Sequence, residues 1–246
     1  MDRLIYIAMT GAKNSMERQA TVSHNLANAS TTGFRAQIDA FRALPVLGPG
    51  AKTRTYVADT EVGTDFSFGS MQTTGRSLDL AVNGKGWIAV QGRDGKEAYT
   101  RDGNLQITAN GLLQTRNGLS IAGESGPITV PPNSEIAIAP DGTVSVVSQD
   151  GIPNAVNIIG RIKLVNPPEK DMVRGGDGLF RQRNGLAAGA DPSVLVAPGS
   201  LEGSNVSAVE SLVEMITHAR HFETQIKLMQ TADTMTRQMS QVVSMS

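Results

Sequence analysis

Residues 25–36 read NLANASTTGFRA, and this stretch decides where helix gives way to an extended connector. Asn25 and Asn28 stand where a helical pattern from the N-terminus runs out, and their side chains can bond backbone groups at a helix end. Ser30, Thr31 and Thr32 follow, offering local bonds that discourage further helix. Gly33 permits a sharp exit. Phe34 then anchors the emerging chain, and Arg35 carries a fork of fixed donors expected to reach a neighbour. By its residues the stretch reads as a capped helix and a turn.

Upstream of the turn the spacing alternates by three and four: Ile5, Ala8, Ala12, Ser15, Gln19, Val22, Leu26, Ala29. This predicts a helix over residues 3–28, about 39 Å long. Ser15 and Gln19 interrupt its apolar seam, and Gly11 weakens it by about 1 kcal/mol relative to alanine. The same alternation returns at the other end of the chain through Leu212, Met215, Ala219, Phe222, Ile226 and Met229. It continues through Ala232, Met235, Met239 and Val242 after one short step, a stammer of the kind that overwinds a coiled coil. A second helix is expected over 205–243, about 58 Å long, with Ser204 or Asn205 as its cap. Methionine packs well into irregular partner surfaces, and Met215, Met229, Met235, Met239 and Met245 gather in this last segment.

Between the helices the punctuation changes. No glycine or proline follows Gly203, no proline precedes Pro45, and nine of the eleven prolines fall in 127–198. Nine Asn-Gly or Asp-Gly pairs, from Asn83-Gly84 to Asn184-Gly185, separate short runs such as LDLAV, WIAV, LQITA and RIKLV. Such pairs supply the positive φ angles of two-residue hairpin turns. No βαβ pattern interrupts them, so the middle is expected to be an antiparallel β domain, a sandwich or irregular barrel. Phe41–Ser70 carries Pro45, Gly48, Pro49 and Gly50 and then alternates like a strand at 53–57; it is expected to be an extended connector without a compact hairpin. The expected organisation is an N-terminal helix and corner (1–34), the connector (35–75), the β domain (76–202) and a C-terminal helix (203–246) that pairs with 1–34. The fold class is α+β, mainly β, with two long terminal helices paired as a coiled coil.

Composition excludes several kinds of chemistry. The chain has no cysteine, so thiol nucleophiles and disulfides are impossible. A net charge of −1 recommends neither nucleic acid nor an anionic membrane as partner. No apolar run approaches the roughly 20 residues that span a bilayer. The apolar run at 4–9 is shorter than a secretory core and poorly flanked. The chain is therefore expected either to be cytoplasmic or to be exported without a cleaved signal. The segment GKGWIA at 84–89 matches the spacing of a dinucleotide loop, but another strand, WIAVQ, follows where that motif requires a helix. It is expected to be a hairpin turn with Trp87 in the β core. His218 and His221 could share a helix face with Glu214, but a zinc site needs three or four ligands and no HExxH pattern occurs. They are expected to be polar positions beside the apolar stripe. No nucleophile elbow or Walker loop is present, and no carboxylate pair is singled out. No catalytic residue, cofactor, metal or small-molecule substrate is expected.

The opening stretch also carries a resemblance. NLANASTTGFRA is similar to the N-terminal signature of the bacterial flagellar rod and hook proteins, the axial family of the basal body. The resemblance continues through TGRSLDLAVNGKGWIAVQ at 74–91, YTRDGNLQITANGLLQTRNG at 99–118 and GSLEGSNVSAVESLVEMITHARHFETQIKLMQTADTM at 199–235. Length and the opening MDRLIYIAMTGA most resemble members of the proximal rod; distal rod or hook-type members are the alternative. A cell-wall-acting β-sandwich enzyme or carbohydrate-binding module is a distant one. Phe222 stands where relatives often carry tyrosine, keeping the ring and losing a hydroxyl. The resemblance implies a motility protein that is structural, not an enzyme. Its terminal helices line a helical tube that transmits torque, in a rod that spans the periplasm. Its partners would be other rod proteins, copies of itself and the type III export apparatus, with no membrane insertion. The assembly interface would use Ile5, Ala8, Ala12, Val22, Asn25, Leu26 and Asn28, then Thr31, Gly33 and Phe34 at the corner. On the last helix it would use Leu212, Met215, Ala219, Phe222, Ile226, Met229, Met235 and Met239.

Overall fold

The computed structural model describes residues 2–45, 55–148 and 156–244, the side chains of 2–4, 42–45, 55–62, 148 and 239–244 excepted. The described residues fall into two compact units: those of Met1–Ala29, Ala36–Asp65 and Val206–Ser246, and those of Ser30–Arg35 and Phe66–Asn205.

The first unit is helical. Helix α1 spans Asp2–Ala27 and helix α2 spans Ala208–Ser244, about 39 and 55 Å long. They pack on one another, and α1 also packs on β1 (Gln37–Pro45) and β2 (Thr55–Thr64). Ala8, Ala12 and Val22 are buried, as their spacing requires. Gly11 lies against α2 so closely that an added Cβ would sit 3.0 Å from Gln225 Cδ. Two expectations need correction here. The span 35–75 is not a simple extended connector: β1 and β2 form an antiparallel ladder from Gln37↔Thr64 to Pro45↔Thr55, with a bulge at Ala40/Phe41. Alternation extends on both sides of the Pro–Gly cluster, so two strands pair across it; that cluster, 46–54, lies outside the described residues. The cap of α2 is also displaced. Helix α2 begins at Ala208 rather than 205, and the Glu210 N–H donates to Ser207 Oγ at 3.4 Å. Asn205 instead turns its amide to Ser67, on the backbone oxygen and the hydroxyl.

The second unit is a set of small antiparallel sheets, with no closed barrel among the described residues. The widest orders its strands as Leu164–Val165, Trp87–Gln91, Glu97–Thr100, Phe180–Gln182 and Met172–Arg174; another joins Ser134–Ile138, Thr143–Ser148 and Val156–Arg161. The turn at Asn83-Gly84 follows the expected positive φ, +75° at Gly84 and +131° at Gly86. The flanking strands do not pair as a hairpin, however. Leu80–Asn83 pairs with Leu195–Pro198, while Trp87–Gln91 turns into the five-stranded sheet. Both strands are apolar at successive positions, so each is covered on two faces.

Leu80, Ile88, Val90, Leu105, Leu113, Ile121 and Val144 form the main core. A second cluster centres on Trp87, whose ring lies 4.6 Å from Phe180 and edge-on to Phe66 at 6.0 Å. Each aromatic pair contributes about 0.5–1.5 kcal/mol beyond its area.

Candidate assembly faces and the corner

In the helical unit Asn25 ends α1 by a two-way bond: its Nδ2 donates to Gln37 O and its Oδ1 accepts from Gln37 N–H, both at 2.8 Å. The side chain thus substitutes for a strand neighbour and fixes where β1 starts. Thr21 Oγ1 adds a bond to Asp39 Oδ1 at 2.8 Å, and the Arg18 guanidinium lies 4.3 Å over Phe41. The last turn tightens through Asn28 N–H to Asn25 O and Ala29 N–H to Leu26 O, while Asn28 Nδ2 donates to His24 O.

The corner belongs to the β unit. Gly33 adopts φ +67° and donates its N–H to Glu202 O at 2.8 Å. Phe34 is buried beneath Arg174, whose guanidinium lies 4.5 Å from the ring centroid and donates Nη1 to Arg35 O. Arg35 finds its partner within the chain. It is 1% exposed and donates Nη2 to Glu202 Oε1 at 2.7 Å. Arg101, equally buried, donates Nη1 to Glu202 Oε2 at 2.8 Å and Nη2 to Gly84 O at 2.6 Å. The Gly69 N–H completes the carboxylate at 3.0 Å. Burial pulls the Arg101 guanidinium below its ordinary value, with Glu202 opposing and Arg35 adding to the fall; an arginine stays charged regardless. Sequence could not pair these three residues, because 101 and 167 positions separate Glu202 from its partners.

The helical residues expected at an interface divide by exposure. Ala8, Ala12 and Val22 are buried within the unit, whereas Ile5, Leu26, Met215, Ala219, Phe222, Ile226 and Met229 are half-buried. Leu212 and Met235 are 49% and 52% exposed, Thr31 is exposed, and the Met239 side chain lies outside the described residues. Apart from Leu212, the seam pattern missed a second apolar face. Val209, Leu212, Val213 and Ile216 occupy i, i+3, i+4 and i+7 at the start of α2 and are 49–73% exposed. Its signal was present in VESLVEMI, where apolar residues cover more of the helix than one seam requires. Tyr6, Met9 and Met16 are likewise exposed on α1. His218 is half-buried; desolvation is the main cause holding its imidazole below the ordinary value, with Arg18 second. Among the described residues no group of three or more His, Cys, Asp or Glu side chains is placed to hold a metal ion.

Three family profiles match the chain in order: the flagella basal body rod protein profile over 5–35, the flagellar hook protein FlgE/F/G D1 domain over 81–146, and the flagellar basal body rod FlgEFG protein C-terminal over 197–242. The first ends at Arg35, inside the corner. The chain is 45% identical to the flagellar basal-body rod protein FlgF of Salmonella typhimurium and 44% identical to that of Escherichia coli, in both cases over the whole of each chain. It is 33% identical to the flagellar basal-body rod protein FlgG of Buchnera aphidicola, covering 97% of this chain and 98% of that one. The chain belongs to the flagellar basal-body rod protein family and is a structural component of the flagellar basal body.

Proposed function

We propose that the chain is a non-catalytic subunit of the proximal rod, exported through the flagellar type III apparatus without cleavage of a signal and assembled in the periplasm. Full-length likeness to FlgF proteins at a higher identity than to the FlgG relative supports the proximal position. In this reading α1 and α2 form a two-helix coiled coil whose remaining apolar surface is covered by neighbouring rod subunits. The observation that carries it is the face Val209, Leu212, Val213 and Ile216, left open within the chain's own fold. Four large apolar side chains in one row mark a contact surface. Covering each half-exposed side chain contributes about 1 kcal/mol. Contacts of this head-to-tail kind, repeated by a screw operation, build a tube rather than a closed ring. A tube carries torque through such contacts, and the half-buried seam of α2 supplies further ones.

The test is the double substitution Leu212→Asp with Ile216→Asp. Both sites are exposed, so the isolated chain should keep its stability to within about 0.5 kcal/mol per site. Incorporation into basal bodies and swimming should both be lost. Normal swimming by cells carrying the double variant rules the face out.

A further inference from the structure

The buried junction of Arg35, Arg101 and Glu202 holds two guanidinium groups against one carboxylate, both arginines being 3% exposed or less. Three of their donors, Arg35 Nε, Arg35 Nη1 and Arg101 Nε, are buried and meet no acceptor among the described residues. Leaving a buried charged donor unmet is costly, about 1–3 kcal/mol or more each. The rings of Phe68 and Trp87 lie 5.4–5.9 Å from the guanidinium centres and spread the charge without offering a lone pair. Beside these arginines lies a cavity of about 10 Å³, also lined by Lys85, Gly86, Asn166 and Glu169. That admits one water-sized particle as it stands, and the exposed Lys85 and Glu169 side chains at its rim can give the few tenths of an ångström that a halide needs. Glu169 does not neutralise the site, because its Oε1 lies 3.4 Å from Lys85 Nζ and their charges cancel.

We propose that this cavity is a binding site for a single halide-sized monovalent anion, chloride in ordinary media, held by Arg35 and Arg101. A neutral water would fill the same space but leave the second guanidinium charge uncompensated in a desolvated setting. An anion accepts the unmet donors through charge-assisted bonds and balances that charge. The polyatomic anions sulfate and phosphate are too large for the cavity, so the site selects by size.

The experiment uses the full chain. Melting is followed at constant ionic strength while chloride replaces methanesulfonate, an anion too bulky to enter. Binding to the folded state alone raises the melting temperature saturably, by about 2–4 °C when chloride reaches roughly five times its dissociation constant. Crystals grown without halide and soaked in bromide should then show one anomalous peak within bonding distance of both guanidinium groups. Arg101→Met risks the fold itself, so the second variant is Lys85→Gln at the exposed rim. It should raise the half-saturating chloride concentration about twofold to fivefold, the range of a surface charge contact. Its own melting in methanesulfonate sets the baseline for that comparison. A melting temperature indifferent to halide overturns the site, as does a soaked crystal with water in the cavity and no bromide peak.

Discussion

Gly33 places its hydrogen where any other residue would place a Cβ, and that position is already occupied. An added Cβ would lie 2.3 Å from the Arg101 carbonyl carbon and 2.5 Å from Asp102 N, both backbone atoms that cannot swing aside. The positive φ adds about 1–2 kcal/mol of its own for a residue with a side chain. Gly33→Ala should therefore cost about 2–4 kcal/mol, strain and overpacking together. Gly75→Ala, also at positive φ but with nothing within 4 Å, should cost only about 1–2 kcal/mol; thermal melting of the two variants compares them directly. Tyr99 offers a second residue-scale test. Its hydroxyl accepts the Ala188 N–H at 2.6 Å and donates to Glu97 at 3.0 Å. Burial pushes its pKa up to about 12, the Ala188 bond opposing and Glu97 adding to the rise. A tyrosine in the unfolded chain titrates near about 10. Between these values the unfolded chain has released the proton and the folded chain still holds it, so stability falls as pH rises from 10 toward 12. Denaturant unfolding across that range should show a slope that Tyr99→Phe removes. The family resemblance marked Gly33 and Phe34 as a corner; their residue types alone read as a capped helix and a turn, since each element is common. The sequence did not name the partner of Arg35, since a charged side chain is ordinarily at the surface and Glu202 lies 167 positions along the chain.

At the scale of elements, both helices were legible because a period of 3.6 persists for many turns; their ends differ from expectation by one to three residues because several polar residues compete to cap. The β1–β2 ladder was obscured by the Pro–Gly cluster between its strands, which reads as a loop in its own right. The open face of α2 was obscured for a different reason. A helix apolar on two sides gives a blurred pattern, and the clearer seam hides the other. The contact at Gly11 gives the element-scale expectation. Alanine adds helix propensity of about 1 kcal/mol, and the obstructing Gln225 amide is the mobile end of a flexible side chain. Gly11→Ala should stabilise the helical unit by about 0.5–1 kcal/mol, whereas Gly11→Leu should separate α1 from α2 and cost about 1–3 kcal/mol. Far-ultraviolet dichroism during melting distinguishes the two.

For the whole molecule, the two units differ in how they are held. The β unit has a closed apolar core with Leu80, Ile88, Leu105, Leu113 and Ile121 fully buried. The helical unit buries mainly small side chains, Ala8, Ala12 and Ala232, and leaves larger ones half in water. Small buried groups return little against ordering costs of roughly 1–2 kcal/mol per residue, and single helices are marginal in water. In the dilute monomer, amides of α1 should therefore exchange far faster than those of strand Trp87–Gln91, with protection of α1 gained on assembly. Uniform slow exchange across 3–28 in the monomer contradicts this ordering. The junction at Glu202 carries a mechanical consequence. The strand of chain leaving α1 is clamped at Gly33, Phe34 and Arg35 to residues 202–205, the strand of chain about to enter α2. Tension drawn along one terminal arm is thus handed to the other across a handful of bonds. An insertion at the exposed turn Asn117-Gly118 should leave that route intact, whereas one inside 33–35 or 202–205 should sever it.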